Sequence, residues 1–223
     1  MNTKNNTLPE LIEAIERAQN EKPLFNSALQ KLINLSEEEL DNFLKGKMAS
    51  KATASVLRLI SGDSDLILKS LDGRRLICDA GETFKQLVDP DFIKWGINKS
   101  GISTPTTSIQ VHEMMSRGTS MDIFCSLPGN WSQKWFSQNQ VIEFCEVFPD
   151  WLRKNGNGTF FLIKKDENKP INENKPEENL AMAGVYVYAG GLRIGADQLG
   201  GRNVWYGEYN YRVVSPKLIT TLS

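Results

Sequence analysis

The run VYVYAGGLRIGADQLGGRNVWYG, residues 185–207, constrains the fold more than any other part of the chain. Strand-like runs here are separated by glycine pairs. A two-residue turn at Gly190-Gly191 sets Ala189 opposite Leu192, Val187 opposite Ile194 and Val185 opposite Ala196. All six are apolar. The other face carries Tyr188 with Arg193 and Tyr186 with Gly195. Side chains alternate with period 2, so a hairpin sorts apolar from polar residues on both strands at once. A second turn at Gly200-Gly201 sets Tyr206 opposite Gly195 and Glu208 opposite Arg193. Arg193 then lies between Tyr188 and Glu208, and Gly195 between Tyr186 and Tyr206. The segment reads as an antiparallel meander.

The same glycines do not make a phosphate cradle. G-x-G-x-x-G spacing is absent, and after Gly195 and Gly200 comes Gly201-Arg202 where a P-loop needs Lys and Ser or Thr. The residues beyond Arg202 are strand-like, so no helix N-terminus is offered to an anion.

The first sixty residues read differently. Thr7 with Glu10 and Ser36 with Glu39 have capping-box spacing ahead of apolar stripes, and Ala52, Val56, Leu59 and Ile60 share one helical face. Residues 1–61 are therefore expected to be a helical region, and 62–223 a second domain. In that domain Asp72-Gly73 predicts a hairpin, because a type I′ turn wants positive φ at both central positions. Pro105 and Arg117-Gly118 bracket an expected helix. Thr119 caps a short one, and Ser137 with Gln140 caps a longer one with a kink or a break expected at Pro149. NGNG at 155–158 is a turn, and TFFLIKK after it is a strand apolar enough to be buried on both faces. Residues 165–179, KDENKPINENKPEEN, read as a solvated loop or disordered insertion. The fold class is α+β: a helical N-terminal region, then an antiparallel sheet ending in a β-meander, packed with helices from the middle segment.

Twenty-six basic residues face 27 acidic ones, a net charge of -1, so any nucleic-acid contact needs a local basic patch. The candidate patch is residues 36–60, where two helices around Gly46 carry Lys45, Lys47, Lys51 and Arg58; yet lysines flank the turn where a DNA-reading unit wants apolar packing. No run reaches the roughly 20 apolar residues of a membrane span, and no signal peptide is apparent. Cys78, Cys125 and Cys145 are odd in number and scattered. Reduced thiols and a cytoplasmic location are expected.

No cofactor or metal is expected. The one histidine, His112, lies in HEMMS, which lacks the second histidine of a zinc helix. A packed or surface role on a helix is the reading for it, and no catalytic residue is assigned. Asp63/Asp65, Asp89/Asp91, Glu143/Glu146 and Glu37 to Glu39 are carboxylate groups of the kind acid–base chemistry uses, but each also fits a turn, a solvated face or a helix start. Trp131 and Trp135, four apart, face a core or else form a contact surface.

WLRKNGNGTFFLIK, VYVYAGGLRI and RVVSPKL together resemble uncharacterised bacterial proteins over the C-terminal half. The resemblance implies a bacterial source and no mechanism. The leading expectation is a non-enzymatic binding protein. Its protein or small-ligand partner would meet Tyr186, Tyr188, Arg193, Tyr206 and Glu208, or Trp131 and Trp135. The alternative is a nucleic-acid-associated protein using 36–60, and the third a carboxylate-based enzyme.

Overall fold

A computed structural model describes residues 56–62, 64 and 66–218. The helices expected before residue 56 lie outside the described residues. What is described centres on an eight-stranded mixed sheet, and this corrects the expected α+β arrangement of a helical region followed by an antiparallel sheet. The strands are β1 (Leu57–Leu59), β2 (Leu66–Leu68), β3 (Leu87–Val88), β4 (Thr107–Met114), β6 (Gly158–Lys164), β7 (Leu180–Tyr188), β8 (Gly191–Gln198) and β10 (Arg212–Pro216). Their order is β1-β4-β10-β6-β7-β8-β3, with β2 also on β4. The pairs β10/β6 and β3/β8 are parallel. β5 (Gly118–Thr119) and β9 (Val204–Trp205) form a separate two-stranded sheet.

The centre of the sheet follows from β6. Its residues are buried throughout, Phe161 and Ile163 in one apolar cluster and Phe160 and Leu162 in the other. A strand apolar on both faces needs cover on both. One cluster receives Val141, Ile142 and Phe144 of α3 (Gln138–Val147); the other receives Ile123 and Phe124 of α2 (Ser120–Cys125). Two four-residue helices, α1 (Asp91–Lys94) and α4 (Pro176–Asn179), complete the set.

Local signals for α2 and α3 hold. Thr119 and Ser137 form capping boxes with Asp122 and Gln140, and α3 stops before a 3-10 turn at Pro149–Trp151. Three other local readings fail. Residues 107–114 are strand, because TSIQVHEM alternates: Ile109 and Val111 join one cluster and Met114 the other. Pro105 and Gly118 bracket that strand. Leu57–Leu59, read as helix, is β1 on the far edge of β4. Asp72-Gly73 makes no hairpin either. β2 pairs with β4, Ile77–Asp79 is a 3-10 turn, and Leu71 bridges Thr104. Gly73 does take positive φ, +76, but its carbonyl accepts from Gly101 in a contact between loops.

Candidate functional site

The β7–β8 hairpin brings Tyr186, Tyr188 and Arg193 to one face. Its register is Val185↔Ile194, Tyr186↔Arg193, Val187↔Leu192 and Tyr188↔Gly191. The two turn residues are Ala189 and Gly190, not Gly190 and Gly191. Gly191, at φ +126, opens the returning strand in a conformation that suits glycine. The pairing thus moves by two residues, which leaves every side chain on its expected face. The Arg193 guanidinium carbon lies 6.0 Å from the Tyr186 ring centre, at the outer limit of cation–π reach. Tyr186 is half-buried, and burial first, then Asp197 nearby, pushes its hydroxyl up. Tyr188 is 44% exposed, and Arg193 is exposed.

Beside Tyr188 is a hollow of about 490 Å³ lined by Lys154, Asn155, Gly156, Val187, Tyr188 and Ala189. Asn155 and Gly156 both have positive φ, 65° and 76°, and the Gly156 N–H donates to the Val187 carbonyl at 3.2 Å. This bond holds the expected NGNG turn against the end of β7. The hollow therefore offers an aromatic ring, a side-chain amide and an ammonium group whose neighbour is the exposed Asp150, 3.4 Å away.

Tyr206 and Glu208 do not join this face. Trp205 pairs with Gly118 in the small sheet, so the expected third strand of the meander never lies on β8; β3 occupies that edge. The cause is the indole. Trp205 packs on Phe160 and Tyr211, centroids 4.6 and 5.4 Å away, and its Nε1–H donates to Ser120 Oγ at 3.2 Å. Burying a ring of that size outweighs extending an exposed edge. Gly195 accordingly faces Gly184. Tyr206 is exposed, and Glu208 sits in a 3-10 turn, Gly207–Tyr209.

Trp131 and Trp135 are half-buried against the second cluster, each beneath an ammonium group, Lys134 and Lys164 respectively, at 4.9 Å. Segment 165–179, expected as a solvated or disordered loop, is largely exposed but is also tied to the rest of the fold. The Glu173 carboxylate accepts the N–H groups of Trp131 and Ser132 at 2.9 and 3.0 Å, and Glu167 is buried. Two of its five acidic residues, Glu167 and Glu173, thus accept backbone N–H groups of other segments.

A feature the sequence reading missed is the polar start of α3. Gln138, Asn139, Gln140 and Glu143 are all buried. Gln138 donates to the carbonyls of Ile97 and Lys99 and accepts from the N–H of Ile77. Asn139 donates to Asp72 at 3.2 Å, Gln140 to Thr107 at 3.1 Å, and Glu143 meets Lys69 at 3.2 Å. Among the described residues three buried side-chain atoms lack a hydrogen-bond partner, Asn139 Oδ1, Thr104 Oγ1 and Arg212 Nε. Thr104 also lines a hollow of about 620 Å³ with Ser70, Leu71, Asp72, Ser103 and Pro105. A buried acceptor without a donor costs roughly 1–3 kcal/mol. Three consecutive side-chain amides at the start of α3 were the available signal, and the capping box explained one of them.

The carboxylate pairs are engaged structurally. Asp89 accepts the Asp91 N–H, and Glu146 is clamped by Arg75 and Thr83; the hydrogen bond from Arg75 is the main cause that brings its carboxyl down to about 2. Asp63, Asp65 and Glu37 to Glu39 lie outside the described residues, as do residues 36–55 of the expected nucleic-acid segment. Of its remainder, Arg58 is on β1 and pairs with Glu113 at 2.7 Å. His112 is on strand β4, not a helix. It is buried, its Nε2 lies 3.1 Å from Ser215 Oγ, and burial holds its pKa down to about 4. Among the described residues no three His, Cys, Asp or Glu side chains are grouped to hold a metal ion, and no helix is long and apolar enough to cross a membrane. No protein-family model, curated protein or solved structure matches the chain.

Proposed function

We propose that the protein is a non-enzymatic binding protein of the bacterial cytoplasm, and that its partner seats against Tyr188 and the hollow beside it. One observation carries the reading: an accessible tyrosine on a rigid hairpin, with Lys154 in the same hollow and Arg193 on the same face. An aromatic face flanked by two cations favours a planar, negatively charged group, whether a small ligand or part of a protein. The free thiols of Cys78, Cys125 and Cys145 fit a reducing compartment, and the C-terminal resemblance supplies the bacterial setting.

The test is a titration of the full chain with naphthalene-2-sulfonate, followed by amide NMR shifts. The expected result is saturable movement at residues 154–156 and 187–191, weakened about tenfold or more by Tyr188→Ala, the scale of losing one stacked ring. Equal binding by the Tyr188→Ala protein, or no movement at those residues, rejects the reading.

A further inference from the structure

We infer that Arg153 and Arg212 form a second binding site, and that it takes a phosphate group, free or on a small ester. It does not depend on the tyrosine hollow: Lys154 lines that hollow, whereas Arg153 turns toward Tyr209. Backbone carbonyls hold both guanidinium groups in place. Arg153 Nε–H donates to the Tyr209 carbonyl at 3.3 Å. Arg212 Nη1 donates to the carbonyls of Asp150 and Leu152 at 3.1 and 3.3 Å, which close the 3-10 turn leading into Arg153. The two side chains therefore meet across one short stretch of chain, each aimed by carbonyl groups. Burial first, and then the charge of Arg153, lowers the pKa of Arg212.

Among the described residues neither guanidinium is in an ion pair. Glu113, opposite Arg212 in the β10–β4 register, pairs with Arg58 at 2.7 Å, and Asp150 pairs with Lys154 at 3.4 Å. Arg153 Nη1, Arg153 Nη2 and Arg212 Nη2 have no hydrogen-bond partner. The buried unpartnered atoms are Asn139 Oδ1, Thr104 Oγ1 and Arg212 Nε alone, so those three nitrogens reach solvent and a ligand can meet them. Two like charges held side by side, with accessible donors and no acceptor, call for an anion. Guanidinium groups match carboxylate and phosphate oxygens in paired hydrogen bonds. A carboxylate has two oxygens and a single charge, and it leaves one guanidinium unanswered. A phosphate monoester brings three acceptor oxygens and a charge of about -1.5 to -2 near neutral pH, which answers both arginines.

The full chain is titrated with phenyl phosphate at about pH 7.5, above the second phosphate pKa of about 6, and followed by amide NMR shifts. Inorganic phosphate and benzoate are run in parallel. The inference expects saturable shifts at residues 150–153 and 209–212 with phenyl phosphate, and binding about fivefold weaker or more for benzoate, which has fewer oxygens and less charge. Tighter binding of phenyl phosphate than of inorganic phosphate assigns the site to an ester, and equal binding assigns it to free phosphate. Arg153→Gln should weaken phosphate binding about tenfold or more, the scale of losing a hydrogen bond to a charged group. Arg212→Lys keeps the charge and a donor for the Asp150 and Leu152 carbonyls but loses the planar fork, and should weaken binding about threefold. Tyr188→Ala should leave it unchanged. No saturable shift at these residues, benzoate bound as tightly as phenyl phosphate, or unaltered binding by a folded Arg153→Gln or Arg212→Lys protein overturns it.

Discussion

A β-carbon on Gly101 would overlap the carboxylate of Glu167, which occupies that space. From there Glu167 accepts the N–H of Ile102 at 3.1 Å and the N–H of Gln138 at 3.2 Å, joining the loop before β4 to the first turn of α3. Gly101→Ala should therefore act by expelling the carboxylate. Glu167→Ala strands the same two donors and is expected to cost about 3 kcal/mol. Once the carboxylate is gone, adding Gly101→Ala should cost less than half its effect in the native background. Urea denaturation of the two single variants and the double variant measures this; simple additivity would contradict it.

His112 makes stability pH-dependent. In the unfolded chain it takes up a proton near pH 6.5; in the fold, burial holds its pKa down to about 4. Between those values the unfolded chain binds the proton and the folded chain does not, so this contribution is complete above pH 6.5 and is lost as pH falls toward 4. At ~1.4 kcal/mol per pH unit the loss is roughly 3 kcal/mol. The urea midpoint should drop between pH 7 and 5, and drop less in His112→Gln.

The thiols should differ in reactivity. Cys125 is exposed, Cys78 half-buried and Cys145 fully packed in the first cluster, where burial pushes its thiol far up. The thiolate is the reactive form, so iodoacetamide should label Cys125 first, Cys78 more slowly and Cys145 on unfolding. Peptide mass spectrometry of a time course checks the order; labelling of Cys145 at the rate of Cys125 would refute the packing.

Two positive-φ glycines should tolerate alanine unequally. A Cβ on Gly62, φ +53, meets open space, while one on Gly73, φ +76, runs into the carbonyl of Ile102. Gly62→Ala should cost about 1 kcal/mol, the backbone penalty alone. Gly73→Ala should cost at least ~2 kcal/mol more, read as a gap between thermal midpoints, since rigid backbone must move.

What the sequence revealed was local. Ser137/Gln140 and Thr119/Asp122 mark helix starts because both partners of each cap lie within four residues. Period 2 in 185–198 sorted the faces of β7 and β8 even with the turn misplaced, because a shift of two conserves parity. The failures are long-range. Nothing near Trp205 says that its indole will choose Phe160 and Ser120 over an edge of β8, and nothing near Glu167 names Ile102 and Gln138 as its donors. Of the proposed face, Tyr186, Tyr188 and Arg193 were legible because a hairpin holds them; Tyr206 and Glu208 depended on a strand that pairs elsewhere.

β10 is the last strand of the sheet in chain order, yet it lies between β4 and β6. Synthesis therefore delivers the middle of the sheet after both flanks. Until residues 212–216 dock, β4 and β6 each present an unpaired edge, the kind of surface on which incompletely folded chains stick to one another. A chain in which β10 has not yet docked holds two half-sheets that wait for the same missing piece.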